Sequence, residues 1–317
     1  MDELDVRICR ALVTNRDLFP YSTTLKYSLR EVARKLQVDH LTVSNRFNRL
    51  QEKGFISGWK VHPNPSLFGY NMINILVDTP FKSSKQDMIR KIKLIHGVVN
   101  IVDHLGDSLG ITLLYDSDQS NSSTIELISR ITRAENVIQF HLNYPPGKSN
   151  RFTDTDWAII RNLENDGLKS YVQVAKEIGL TPRTVKNRLT KLQLDHALMI
   201  VPAFDIANME GMIGMFLFYS YTSHEMKSTV DLEVLFHFDG NYIWAALSDP
   251  ERAYLILVAP KMASVKSYLE WTKQQPGVAS AGVHIAVESF NLWSKTGELF
   301  QRRAFLDQSS HQSMTVG

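Results

Sequence analysis

Apolar positions along the chain follow two rhythms, and the pair of rhythms occurs twice. From Leu29 to Leu50 the spacing is helical: Val32, Ala33 and Leu36 mark one buried face, and Val43, Phe47 and Leu50 mark a second after a break at Gln37-Val38-Asp39. Asp39 suits the N-cap of the second helix, where its carboxylate can accept from orphan backbone amides. The remaining faces of that helix carry His40, Thr42, Ser44, Asn45, Arg46, Asn48 and Arg49. That inventory can read base edges and hold phosphates, and it equally describes a solvated helix in any bundle. An earlier helix over residues 1 to 12 aligns Leu4, Ile8 and Leu12. Downstream, Gly54 and Gly58 in an alternating stretch predict a helix stop and a small hairpin, the wing of a winged helix-turn-helix.

The same stretch returns 142 positions later, with Leu29 answered by Tyr171 (171 − 29). Val32, Ala33, Thr42, Val43, Asn45, Arg46 and Leu50 recur as Val174, Ala175, Thr184, Val185, Asn187, Arg188 and Leu192. The break becomes Gly179-Leu180-Thr181-Pro182: a glycine to end one helix, then a capping threonine and a proline to open the next. Trp157, Ile160 and Leu163 repeat the first helix, capped by Thr153 or Asp154. The connection Asn15 to Lys26 has only Asn165-Asp166-Gly167 as counterpart and is expected to be a surface loop.

Between the helical stretches the rhythm predicts strands over Asn71–Asp78, Val98–His104, Ile111–Tyr115 and Val137–Leu142, with helices over Lys85–Ile95 and Ser122–Arg133. That order is βαββαβ, a ferredoxin-like unit whose uncovered sheet face asks for a second sheet. A second copy of the unit runs from Gly211 to Val287. The fold class is therefore α+β, two winged helix-turn-helix domains alternating with two ferredoxin-like domains. The boundaries expected are 1–65, 66–144, a linker at 145–151, 152–206, 207–289 and a tail from 290 that starts helically and ends mobile. Met209, Met212, Met215, Phe216, Phe218, Tyr219 and Tyr221 resemble a ligand box, but at strand spacing they read as sheet packing.

Composition adds less than placement. The net charge of +2 says nothing about nucleic acid, yet Arg30, Arg34, Lys35, Arg46, Arg49, Lys53 and Lys60 gather in the first head region. Lys169, Lys176, Arg183, Lys186, Arg188 and Lys191 gather in the second. Local basic footprints on a balanced protein suit a modular binder of double-stranded DNA. One cysteine, Cys9, fits a reducing compartment and a place in the core. No apolar run is long enough for a membrane span, so a cytoplasmic protein is expected. There is no Cys/His cluster for zinc, no Gly-rich phosphate loop and no nucleophile beside a base. Neither cofactor, metal nor enzymatic activity is expected.

The run Gly54-Phe55-Ile56, Gly58, Val61, Pro63-Asn64-Pro65 and Phe68-Gly69, with the sheet unit after it, resembles the Lrp/AsnC (feast/famine) transcription regulators. The resemblance covers nearly the whole chain, twice in tandem. It implies a third head helix in the major groove and a sheet domain, the RAM domain, for dimerisation and effector sensing. DNA contacts then fall on His40, Thr42, Ser44, Asn45, Arg46, Asn48, Arg49, Lys53 and Lys60, and on Arg183, Thr184, Lys186, Asn187 and Lys191. For Arg46 and Arg188, beside the buried stripe, a guanidinium on a phosphate or on an acidic neighbour is as good a reading as base contact. A small-molecule effector would meet Gly106, Asp107, Asp249 and Arg252, although Leu109 stands where the family often has a second acid. A homo-oligomer through the ferredoxin-like sheets is expected, unless one chain forms a pseudo-dimer. The second wing, His196 to Phe204, lacks the glycine pair and has no Lys or Arg, so the second head is expected to hold DNA more weakly.

Two alternatives remain open. The same architecture occurs in sirohaem decarboxylases, which show an Arg-Arg step and an Asn-His-Arg run where this chain has Ser57-Gly58-Trp59 and Asn64-Pro65-Ser66. His96, His104, His141, His237 and His284 are candidates for such a role, without ligand spacing. The other alternative is an interaction scaffold whose heads have lost DNA.

Overall fold

The computed structural model describes the chain apart from residues 14–28, 81–83, 135, 145, 149–151, 165, 168, 207–208, 294–295, 298–299 and 301–317 and the side chains at 200–201. The connection expected over Asn15 to Lys26 and the far tail lie outside the described residues. The first head comprises α1 (Glu3–Val13), α2 (Leu29–Leu36) and α3 (His40–Glu52). Asp39 caps α3 as its sequence position demands, accepting from the amides of Leu41 at 2.8 Å and Thr42 at 3.3 Å. Val43, Phe47 and Leu50 bury against Val32, Ala33, Ile8 and Leu12. Cys9 is fully buried there, and burial pushes its thiol pKa up.

The strand β1 (Ile56–Pro63) follows, then a 3-10 turn at Pro65–Phe68 capped by Asn64. The first sheet unit is β2 (Asn71–Asp78), α4 (Lys85–Ile92), β3 (Val98–His104), β4 (Ser108–Tyr115), α5 (Asp118–Thr132) and β5 (Val137–Leu142). The second head is α6 (Asp154–Leu163), α7 (Tyr171–Ile178) and α8 (Pro182–Leu194), followed by β6 (Leu198–Phe204). The second unit is β7 (Ile213–Tyr221), α9 (Lys227–His237), β8 (Tyr242–Ala246), β9 (Arg252–Ala259), α10 (Met262–Lys273) and β10 (Val278–Asn291). The tail expected to start helically at Phe290 first continues β10, where Phe290 and Asn291 pair with Ile101 and Asn100, and helix appears at Thr296, Gly297 and Phe300.

Both units join one eight-stranded sheet in the order β5-β2-β4-β3-β10-β7-β9-β8. Its outer faces pack on the helices: Ile73, Ile75 and Val77 with Met88, Ile89 and Ile92, and Met215 and Leu217 with Val230 and Val234. The inner faces meet each other, Phe140 stacking near Phe218 at 4.9 Å and near Tyr254 at 5.6 Å. The sheet surface that was expected to join two chains is therefore occupied within one chain. This is the intrachain pseudo-dimer arrangement, the alternative to pairing between two chains. The two joints of the curled sheet differ. At one, β10 runs on past Ile285 through a bulge and pairs with β3. At the other, β5 ends at Leu142 and no strand among the described residues joins it to β8. The exposed backbone of β5 is satisfied there by side chains: Asp249 accepts from the His141 amide at 2.8 Å, Ser248 donates to the His141 carbonyl at 2.8 Å, and Arg252 donates to the Gln139 carbonyl at 3.0 Å.

The wing is not a hairpin. Gly58, at φ +151°, opens a bulge in β1 rather than a turn, and β1 pairs antiparallel with β6, from Gly58 opposite Ala203 to Pro63 opposite Leu198. Each strand alone would be an unpaired edge. Pairing across the repeat satisfies both and ties the heads into one ribbon.

Candidate nucleic-acid interface and interior cavity

The expected DNA contacts of the first head stay on the surface, but its arginines are engaged. Thr42, Asn45, Asn48 and Arg49 are exposed, and His40, Ser44 and Arg46 are half-buried. Arg46 donates to Asp2 at 2.5 Å and to Asp5 at 3.1 Å, and Arg49 reaches Asp5 at 2.8 Å. Asp5 is fully buried, so both guanidinium groups serve a carboxylate that water does not reach. The Arg46 guanidinium holds the Asp2 carboxyl below its ordinary range. Lys53 pairs with Glu210. In the protein alone, the Arg46 guanidinium lies on its acidic neighbours.

The second head presents its cations differently. Arg183, Lys186, Asn187 and Lys191 are exposed along α8, and among the described residues the two lysines and Arg183 have no carboxylate partner. Thr184 is half-buried, its hydroxyl 2.9 Å from that of the capping Thr181. Arg188 repeats the role of Arg46 more loosely, 3.6 Å from Asp156. Local order is strong here: Thr153 and Asp156 form a reciprocal capping box on α6, and Ser170 and Gln173 form one on α7. The expectation that this is the weaker head rested on its wing, and no free wing exists in either head.

Lys60 lies elsewhere. Along β1 the side chains alternate, and Trp59 and Val61 face Gly167 of the second head. Lys60 and His62 turn to the other side and line a half-open cavity of about 270 Å³ between the ribbon and the sheet. Its walls include Phe140, Phe216, Phe218, Trp244, Tyr254 and Trp293, with Asn74, Asn100, Thr112 and Asn291 as polar points. The run that looked like a ligand box thus divides by alternation. Met215, Leu217, Tyr219 and Tyr221 pack on helices, while Phe216 and Phe218 line the cavity.

Two histidines line this cavity. His62 stacks on Trp293 at 4.2 Å, and burial lowers its pKa to about 4. His104 is lowered to about 3, chiefly by burial and then by the nearness of His284 and Lys85. Ser108 bridges His104 at 3.3 Å and His284 at 2.8 Å, and its single proton serves one ring while its oxygen accepts from the other. Nε2 of His104 and Nε1 of Trp244 are buried without hydrogen-bond partners among the described residues. His96 and His141 do not line the cavity, and His237 stacks on Trp271 at 3.6 Å. No group of three or more metal-ligating side chains is found among the described residues.

The residues expected to sense an effector are not brought together. Asp249 is buried and spends its carboxylate on the amides of His141, Glu251 and Arg252, while Arg252 donates to Gln139. Gly106 and Asp107 form the separate β3–β4 turn, where the Asp107 carbonyl accepts from the Thr79 hydroxyl at 2.8 Å. Those four residues do not line the cavity. His62 and Trp293 were missed, and the alternation of the ribbon strand was the signal that could have placed His62.

Comparison with known proteins agrees with the architecture. Residues 152–193 match the AsnC-type helix-turn-helix domain. The HTH-type transcriptional regulator Ptr1 of Methanocaldococcus jannaschii is 29% identical over 130 residues, covering 40% of this chain and 82% of its own. A crystal structure of the siroheme decarboxylase NirDL in co-complex with an iron-uroporphyrin III analogue superposes over 97% of this chain and 100% of its own, at TM-score 0.56 and 10% identity. The structure of E. coli AsnC covers 46% of this chain and 94% of its own, at TM-score 0.30 and 21% identity. The NirDL match overturns the expectation that the chain is no enzyme: an enzyme shares its entire fold. No helix among the described residues is long and apolar enough to cross a membrane. The chain thus carries a helix-turn-helix matched by the AsnC-type model at residues 152–193, and it joins two helix-turn-helix heads and two ferredoxin-like units in one polypeptide.

Proposed function

We propose that the chain is a DNA-binding transcription regulator acting as an intrachain pseudo-dimer. The reading is carried by the exposed face of α8, where Arg183, Lys186 and Lys191 have no carboxylate partner among the described residues, on a helix-turn-helix of AsnC type. Cations not spent on the protein are available to phosphates, and their binding releases counterions. The β1–β6 ribbon holds both heads on one support, which suits half-sites about one helical turn, roughly 34–36 Å, apart. Because α3 and α8 differ in sequence and in free charge, the preferred operator is built from unlike half-sites. A small molecule in the cavity beneath the ribbon would bear on both heads. Gel retardation of duplex DNA between low and moderate salt tests the reading. Steep loss of affinity with salt supports it, and the absence of retardation at low salt would sink it.

A second reading, a tetrapyrrole-converting enzyme, is favoured by the whole-chain likeness to NirDL. The cavity lining does not fit a macrocycle bearing many carboxylates. Lys60 is its one lysine, arginine is absent from the described lining, and burial keeps His62 and His104 neutral. At about 270 Å³ the space is also at the small end for a ligand pocket, which typically spans about 300–1,000 Å³. Addition of an iron porphyrin followed by the Soret band separates the readings: a saturable shift favours the enzyme.

A further inference from the structure

We propose that the cavity beneath the ribbon binds a small aromatic or alkyl monocarboxylate. Its carboxylate would pair with Lys60 and its apolar body would lie among Phe140, Phe216, Phe218 and Trp244. The lining sets the ligand's charge. It holds no Asp or Glu among the described residues, and Lys60 is its one cation at neutral pH because the burial of His62 and His104 disfavours their protonation. A cation would meet Lys60 without compensation, and a polyanion would bury carboxylates that find no partner. A single negative charge balances the site.

The lining also sets the body. The walls are mostly aromatic and aliphatic, and the volume of about 270 Å³ lies just below the usual range of about 300–1,000 Å³ for ligand pockets. A ring or short chain fits that space. Two buried groups without partners, Nε2 of His104 and Nε1 of Trp244, ask for polar atoms in the occupant, since such groups in native proteins are nearly always satisfied. His104 is 1% exposed, and Gly110, itself a lining residue, leaves its ring room: a Cβ there would stand 3.1 Å from the ring's Cε1. The site is distinct from the β3–β4 and β8–β9 turns, whose Gly106, Asp107, Asp249 and Arg252 do not line it.

Isothermal titration calorimetry of the full chain with phenylacetate, cinnamate and hexanoate tests this, with toluene as the uncharged control. At least one acid is expected to bind saturably, and about tenfold or more tighter than toluene, with a negative heat-capacity change. Lys60→Met is expected to abolish the preference for the charged ligand, and Lys60→Arg to keep it, which separates lost charge from lost folding. No saturable heat with any of the three acids would overturn the proposal. So would equal affinity of native and Lys60→Met protein for the acid, or saturable binding of uroporphyrin. The readout is binding to the protein alone, so failure to retard DNA leaves this proposal standing and counts only against the regulator reading.

Discussion

The two heads share a plan and differ in what their charges do. In the first, Arg46 and Arg49 converge on Asp5, and the ion cluster fastens α3 to α1. In the second, one arginine touches Asp156 loosely while Arg183, Lys186 and Lys191 point outward. A count of basic residues makes the heads look alike. Charge neutralised inside a protein is not available to a phosphate, so partners decide, not numbers. Both heads cap their first helix reciprocally, Asp2 with Asp5 and Thr153 with Asp156; the first adds an ion cluster there, and the second leaves charge on its surface.

The largest test of that difference is stability. Asp5→Ala is expected to destabilise the protein by about 1.5–3 kcal/mol, because it removes the charge-assisted hydrogen bonds that tie Arg46 and Arg49 of α3 to α1. Asp156→Ala should cost only about 1 kcal/mol, the loss of a cap. Thermal or urea melts compare them, and equal losses would break the contrast. Next comes DNA affinity. Arg183→Ala with Lys186→Ala should weaken retardation by about 10–100-fold and lower the salt slope by about two, one per phosphate contact. Arg46→Ala with Arg49→Ala should change the slope by less than one; a larger change would show that the ion cluster opens on DNA.

The pH dependence probes the support the heads share. His62 and His104 have folded pKa values of about 4 and about 3, against about 6.5 unfolded. Between those values the unfolded chain binds more protons, so stability is full above about pH 6.5 and falls as pH drops towards 4, by about 1.4 kcal/mol per unit for each histidine. Both histidines line the cavity under the ribbon, and acid melts should show the heads yielding together. Separate transitions would count against one support. The smallest effect is local. Gln37 holds φ +56° where the second head has Gly179 at +71°. Gln37→Gly should stabilise the first head by a few tenths to about 1 kcal/mol, since relief of the left-handed strain is partly offset by glycine's entropy. A destabilised variant would mean that Gln37 makes contacts outweighing its strain.

Helix and strand spacing made most elements readable, because burying one face imposes a period that survives in a single sequence. Asn71–Asp78 and Val137–Leu142 come out with the expected bounds for that reason. The hairpin at Gly58 did not, since alternation names a strand but not its partner. Lys60 was placed on DNA by its nearness in sequence to the head, yet strand alternation aims it at the cavity. Asp249 was expected to meet an effector because the resemblance places a sensing turn there, and only the position of β5 reveals that it caps a sheet edge.

Read alone, the chain settled the duplicated order of heads and sheets, the capped recognition helices, and the stripes that bury. These are local, set by residues within a few turns of one another. Which copy pairs with which, whose carboxylate holds Arg46 and Arg49, and the cavity between ribbon and sheet were decided only in three dimensions. Each joins residues far apart in the chain, such as Lys53 with Glu210 or Phe140 with Phe218, and no periodicity records such meetings.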